Sequence, residues 1–397
     1  MSEAVIKDTS QAAGRERNHF IDTLRGIAIF GVICVHFCGS FANSNDAWTA
    51  SFYTGLALNQ FFNFSVPLFV FISGLLASPY RPHREVKLGT YYKERLLTIA
   101  WPYLVASIAA FFLLSGHREF FALSTDAARV QWLVSHFLYY GTHPTFYFIP
   151  MILLLYFMKP FLAWLAPFIH GLLLKKQNAS AAGQPGVVML VILSVLLLMH
   201  VVIGILCYQG KISYYTWCRP NPIFWAVYFY FGLTFPLLSK LVPVQTVKAA
   251  VAIGVALALG CYFLDWKSLT DTALVGQKFE LNNVDYAYVR PVMLALNLFV
   301  VLAVAGLLAL GVSRHNALFS YLGKHSLQIY LWHIMVLYLL AWKFESVMGT
   351  VKNAPELMVA IALLTGILIA GLTTALNFLL DIPGKYHVEI KITKNHS

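Results

Sequence analysis

The chain has 397 residues, of which 59% are hydrophobic and only 11% charged, and its mean hydropathy is +0.69. That balance is too apolar for a water-soluble globule. The formal net charge of +11 is scattered among short loops with no soluble domain to hold a duplex, which argues against a nucleic-acid partner.

Apolar runs of about 20 residues recur from end to end, each long enough to cross a bilayer as a helix. Segments of about 10 residues with alternating polarity, the mark of a membrane β-barrel, do not occur. We read an all-α polytopic bundle of about ten spanning helices. They lie near 20–40, 55–77, 96–114, 146–168, 187–207, 222–239, 249–264, 289–310, 321–341 and 357–380. A transmembrane domain of residues 20–380 is thus flanked by polar tails at 1–19 and 381–397. Met1–Arg17 is polar and the first apolar run is of spanning length, so no cleavable signal peptide is expected.

Lys and Arg gather in alternate loops. Lys7, Arg15 and Arg17 precede the first span, and Arg81, Arg84, Lys87, Lys93 and Arg95 follow the second. Lys175 and Lys176, Lys240 and Lys248, Arg314 and Lys324, and finally Lys385, Lys391 and Lys394 continue the pattern. With ten spans all fall on one side, which places both termini in the cytoplasm.

The opposite loops differ. Ala42–Thr54 carries no Lys or Arg, and Cys207–Asn221 carries Lys211 and Arg219. Asp265–Tyr288 mixes Lys267 and Lys278 with Asp265, Asp271, Glu280 and Asp285. Such a loop suits an outer face where a sugar could be held, although a solvated connector has the same composition. Ser115–His143 is long enough for a short helix in the interface. Gln177–Gly186 reads as a flexible linker, and the sequon at Asn178 falls on the cytoplasmic side, where it would not be used.

Cys34 and Cys38 lie one helical turn apart and are expected to pack as small apolar residues. Cys207 and Cys218 flank one short loop and could be bridged if it faces an oxidising compartment. No C-x-x-C pair or metal-type His/Cys spacing occurs, so no metal is expected.

The first span, N-H-F-I-D-T-L-R-G-I-A-I-F-G-V-I-C-V-H-F from Asn18 to Phe37, carries Asp22, Arg25 and His36. Eleven helical steps separate Arg25 from His36, which puts them on one face with roughly 16 Å of rise between them. An ionisable group at that depth costs several kcal/mol, so it faces the bundle interior and marks a functional site by default. A histidine hydrogen-bonded between packed helices would explain the pattern equally. The second span, L-N-Q-F-F-N-F-S-V-P-L-F-V-F-I-S-G-L-L, places Asn59, Gln60, Asn63 and Ser73 in hydrocarbon, with a kink expected at Pro67.

Taken in order, these pieces resemble the acyltransferase-3 family of integral membrane acyltransferases. The match rests on L-R-G-I-A-I-F-G-V-I-C-V-H, in which Arg25, ten residues and His36 fit the family hallmark, and on Ser73 and Gly74. Further on, Arg95, Pro102 and Tyr103 fit, although Thr98 stands where the family has a second arginine. Thr145 and Tyr147 stand for the family's His and Trp, with His143 two residues earlier. The run Y-L-G-K-H-S-L-Q-I-Y-L-W-H adds Gly323, Lys324, Ser326, Tyr330 and His333.

The resemblance implies transfer of an acyl group, usually acetyl from acetyl-CoA, to a hydroxyl of a cell-surface glycan or lipid-linked saccharide. It implies a multi-pass protein of the bacterial cytoplasmic membrane. A low-dielectric site favours neutral imidazole, so His36 is expected to act as general base, with Asp22 orienting Arg25. Arg25, Arg95, Lys93 and Ser73 are assigned to the acyl donor, and Tyr147, Tyr330 and His333 to the acceptor. A transporter or polysaccharide exporter that uses the buried His and Arg residues as a substrate or proton path is the alternative. It would show broken helices in matching repeats, and no internal repeat is visible.

Overall fold

The computed structural model describes residues 19–42, 49–80, 87–114, 116–176, 185–274, 288–343 and 345–379. Both polar tails, most of the linker with its Asn178 sequon, Arg81 and Arg84, and Lys278, Glu280 and Asp285 lie outside the described residues. Every regular element among the described residues is helical.

Nine helical segments among these residues are long and apolar enough to cross a membrane, and the shorter apolar Ser326–Ala341 stands at the remaining expected position. In chain order we label α1 His19–Ala42, α2 Ala50–Ala77, α3 Leu88–Leu113, α4 Phe148–Lys176, α5 Pro185–Tyr208 and α6 Pro222–Leu238. There follow α7 Val244–Leu274, α8 Pro291–Ala309, α9 Ala317–Lys324, α10 Ser326–Lys343 and α11 Leu357–Leu379. The segment expected as interfacial forms two short helices, Gly116–Ala122 and Asp126–Ser135.

Local chemistry explains the irregular turns. Pro67 cannot donate to Asn63 and its ring crowds that carbonyl, and a 3₁₀ turn at Phe62–Phe64 precedes it in α2. Pro102 does the same in α3, where Leu96–Ala100 is wound as a wide π turn.

Two expectations need correction. The single span expected at 321–341 is two helices, broken at His325, because α9 is seated on α1 by backbone contact. A Cβ at Gly26 would strike the Phe319 carbonyl, and one at Gly323 would strike the Asp22 carbonyl. Only residues without a side chain let the two backbones approach so closely. Secondly, α7 runs to Leu274, so Asp265 is a buried helical residue rather than the start of a loop. Its carboxylate is paired with Arg290 at 3.0 Å, which offsets its desolvation.

A second glycine pair holds the other half. Gly74 of α2 meets the Phe229 carbonyl of α6, and Gly232 of α6 meets the Phe71 carbonyl of α2. The most apolar windows of α1 and α2 are 72% buried within the protein and that of α7 only 11%. The α1–α2 pair is therefore the centre of the bundle, and α7 faces lipid.

Adding one methyl at Gly323 is expected to destabilise the protein by about 1–3 kcal/mol or more through overpacking. Gly171→Ala, where a Cβ meets nothing within 4 Å, is expected to be neutral or up to about 1 kcal/mol stabilising. Thermal unfolding of the two variants in detergent checks the contrast.

Candidate active site

A cavity of about 240 Å³ lies toward the end of the bundle where α1, α3 and α5 finish. His36 opens into it from α1, and Asn59, Asn63 and Ser65 line it from α2. Ser65 Oγ is buried without a hydrogen-bond partner among the described residues. A buried hydroxyl in that condition is a place for a ligand or water to bind.

A chain of buried polar groups fixes this wall. Asn59 Nδ2 donates to the Val35 carbonyl at 2.6 Å, one residue before His36. Gln60 Nε2 donates to Asn59 Oδ1 at 2.7 Å, and Asn63 Nδ2 donates to the Asn59 carbonyl at 2.9 Å. Arg290 in turn donates to Gln60 Oε1 and to Asp265 Oδ2. The amides placed in hydrocarbon by the sequence are thus satisfied by one another and by an ion pair joining α7 to α8. Gly39 allows α2 to come in, since a Cβ there would lie 2.6 Å from Asn59 Nδ2.

The opposite wall comes from the loop between α5 and α6. Cys207 and Cys218 are disulfide-bonded, and Trp225 Nε1 donates to the carbonyls of Cys218 and Arg219, each at 3.0 Å. Asn221 then caps α6 by accepting from Ile223 N–H at 3.0 Å. These ties carry Arg219 into the cavity, with its guanidinium 4.8 Å from the centre of the Tyr147 ring. Tyr214 and Tyr288 line the same side.

Tyr147 arrives on a short 3₁₀ turn, Pro144–Tyr147. Gly141, at φ 84°, redirects the chain, and His143 Nδ1 then accepts from Thr145 N–H at 3.3 Å as a cap. Burial pushes the His143 imidazole down to about 4, and the neighbouring His333 and Arg219 add to the shift. Tyr330 of α10 lines the cavity and donates its hydroxyl to the Thr145 carbonyl.

His333 is 0% exposed and does not line the cavity. Its ring centre lies 5.3 Å from that of His36. Its Nδ1 is 2.6 Å from the Tyr330 carbonyl, and its Nε2 has no hydrogen-bond partner among the described residues. A carbonyl can only accept, so Nδ1 carries the hydrogen and Nε2 the lone pair.

The structure therefore brings His36, Tyr147 and Tyr330 to one cavity and sets the His333 ring next to that of His36, outside the lining. Arg25 is elsewhere: it donates to Ser326 Oγ at 2.8 Å and lies 3.8 Å from Asp22, tying α1 to the start of α10. Arg95 lies over the rings of Tyr156 and Tyr91 at 4.5 and 5.4 Å, and Lys93 is exposed nearby on α3. Ser73 is half-buried on α2, eight residues beyond Ser65, about 12 Å along the helix. Arg219, Tyr214, Tyr288 and Arg290 are not legible as site residues, because each lies in or beside a loop that reads as solvated. The one signal for Arg219 is its place beside Cys218 in a short loop.

Apolar helices enclosing a polar cavity with an imidazole in its wall define an integral, multi-pass membrane protein with a candidate catalytic site inside the bundle. A family model described as an acyltransferase domain, that of the acyltransferase-3 family, matches residues 18–379, and the chain belongs to that family. No curated protein and no solved structure matches the chain.

With its folded-state value near 4, against about 6.5 unfolded, His143 contributes stability that is fully present above pH 6.5. That contribution is lost as pH falls toward 4, because the unfolded chain takes up the proton first. His143→Asn keeps a capping acceptor and removes the titration. Its thermal midpoint is expected to fall less between pH 7 and pH 5 than that of the wild type, as measured by parallel melts.

Proposed function

We propose that the protein moves an acyl group, acetyl in the usual case, from acyl-CoA to a hydroxyl of a cell-surface glycan or lipid-linked saccharide. The observation that carries this reading is His36, an imidazole opening into a polar cavity in a chain of the acyltransferase-3 family. The distribution of Lys and Arg favours cytoplasmic termini, and the family resemblance suggests a bacterial inner-membrane setting. The cavity then lies in the outer half of the bundle, on the acceptor's side.

The cavity suits one sugar ring. At about 240 Å³ it is smaller than the roughly 300–1,000 Å³ of pockets for drug-sized ligands. Tyr147 offers an aromatic face, while Asn63, Ser65 and Tyr330 offer polar groups within the same lining.

His36 takes the proton of the acceptor hydroxyl as its oxygen forms a C–O bond to the thioester carbonyl carbon. The C–S bond breaks, and His36 passes the proton to the departing thiolate. General-base help of this kind contributes about 10²–10⁴-fold.

On the donor side we assign Arg25, held by Asp22, together with Arg95 and Lys93, to the phosphates of CoA. Arg25 stands roughly 16 Å from His36 along α1, a separation that the pantetheine arm can bridge. Ser73 is assigned to that arm. Its distance from the cavity argues against a covalent acyl-serine and supports direct transfer.

Purified protein supplied with acetyl-CoA and extracted glycan tests the reading by thiol release and by acyl mass increments on the glycan. His36→Ala is expected to lower turnover by about 10²–10⁴-fold with an unchanged melting curve. Full turnover in a folded His36→Ala protein removes His36 from the mechanism.

A further inference from the structure

The structure gives His333 a role other than binding the acceptor, and that role rests on His36 being the base proposed above. His333 is wholly buried, is excluded from the cavity lining and has one ring nitrogen committed to the Tyr330 carbonyl. Its other nitrogen carries a lone pair with no partner among the described residues. Leaving such an acceptor unsatisfied costs the desolvation of the group without return, so a donor is called for.

The group placed to supply one is His36. Each ring nitrogen lies about 1.1 Å from its ring centre and an N–H···N bond is about 2.9 Å long, so two imidazoles bonded edge to edge have centres about 5.1 Å apart. The observed separation is 5.3 Å, with the rings tilted by 35°. That separation is within reach of such a bond, and catalytic hydrogen bonds often tighten only when a complex forms.

We propose that His333 is the positioning residue for His36, its Nε2 accepting the N–H of His36 so that the other His36 nitrogen presents its lone pair to the cavity. A neutral imidazole has two tautomers, and only the one that leaves the cavity-facing nitrogen bare can act as a base. The Tyr330 carbonyl fixes the tautomer of His333, and His333 fixes that of His36. No proton leaves His333 in this arrangement. It orients the base and shares the charge when the base is protonated, which is the part a carboxylate plays in other base-orienter pairs. Tyr330 therefore acts twice, by its carbonyl on His333 and by its hydroxyl on Thr145.

The test compares His333→Phe, which fills the space without an acceptor, with His333→Gln, which restores one. Other groups facing His36 are Arg219 and His143 from two loops, and the phenols of Tyr147, Tyr214, Tyr288 and Tyr330; all are intact in both variants. His333→Phe is expected to lower kcat by between about 10²- and 10⁴-fold with KM for acetyl-CoA unchanged, and to move the acidic limb of the kcat/KM profile. His333→Gln is expected to recover at least tenfold of the loss.

Nitrogen-15 spectra of histidine-labelled protein in nanodiscs, with His36 assigned by its absence in His36→Ala, read the tautomer without any reaction. One His36 tautomer in the wild type and a mixture in His333→Phe are expected. An unchanged His36 signal in folded His333→Phe overturns the proposal, as do equal losses of kcat in the Phe and Gln variants. Absence of acyl transfer by the wild type, with the tautomer shift still present, would instead overturn the functional reading and leave the imidazole pair standing.

Discussion

The constraint on which the structure depends is that a polar side chain placed among hydrocarbon must find its partner inside the protein. One connected run of groups meets it: the Val35 carbonyl, Asn59, Gln60, Arg290 and Asp265. That run joins four helices and ends one residue from His36. Removing any member would strand its neighbour in a low dielectric, so the network fixes the relative positions of α1, α2, α7 and α8 as well as satisfying its own atoms. The catalytic candidate is thus set on a wall whose geometry is decided by hydrogen bonds, while the lipid-facing helices contribute mainly apolar bulk.

Around this wall the bundle is drawn together by absent side chains. The reciprocal pairs Gly26 with Gly323 and Gly74 with Gly232 bring backbones into direct contact, which is how helices associate when lipid offers no hydrophobic drive between them. The first pair explains why α9 leaves the axis of α10. That departure gives α10 a free first turn at Ser326, where Arg25 is bound. The family hallmark of Arg25 and His36 thereby divides into two places: one end ties helices together near the start of α1, and the other opens into the cavity. Cytoplasmic donor and outer acceptor are the chemical counterpart of that division in the function proposed.

The outer wall is built by a different device. A disulfide, an indole bonded to two consecutive carbonyls and an asparagine cap hold a short loop so that Arg219 lies over Tyr147. The guanidinium of the cavity is therefore supplied by the loop between α5 and α6 and not by Arg25. Two cations with separate duties, roughly one at each end of α1, replace the single pairing that the spacing of Arg25 and His36 suggests.

What the sequence determined by itself was the class of fold and the depth of its ionisable groups. Apolar runs of spanning length leave the helix as the available structure, and His36 within such a run has to face the interior because lipid would not solvate it. The order of the motifs also sufficed to indicate the acyltransferase-3 family. What only the tertiary structure decided was which groups meet. Gln60 meets Arg290, 230 residues further along the chain, and Arg290 in turn meets Asp265. The place of His333 next to His36 follows from how α10 is set beside α1, and Arg219 and Tyr288 reach the cavity from loops whose composition reads as solvent-facing. Hydropathy is a property of each segment alone, whereas a hydrogen-bond partner is a property of the packing, and no local pattern carries that information.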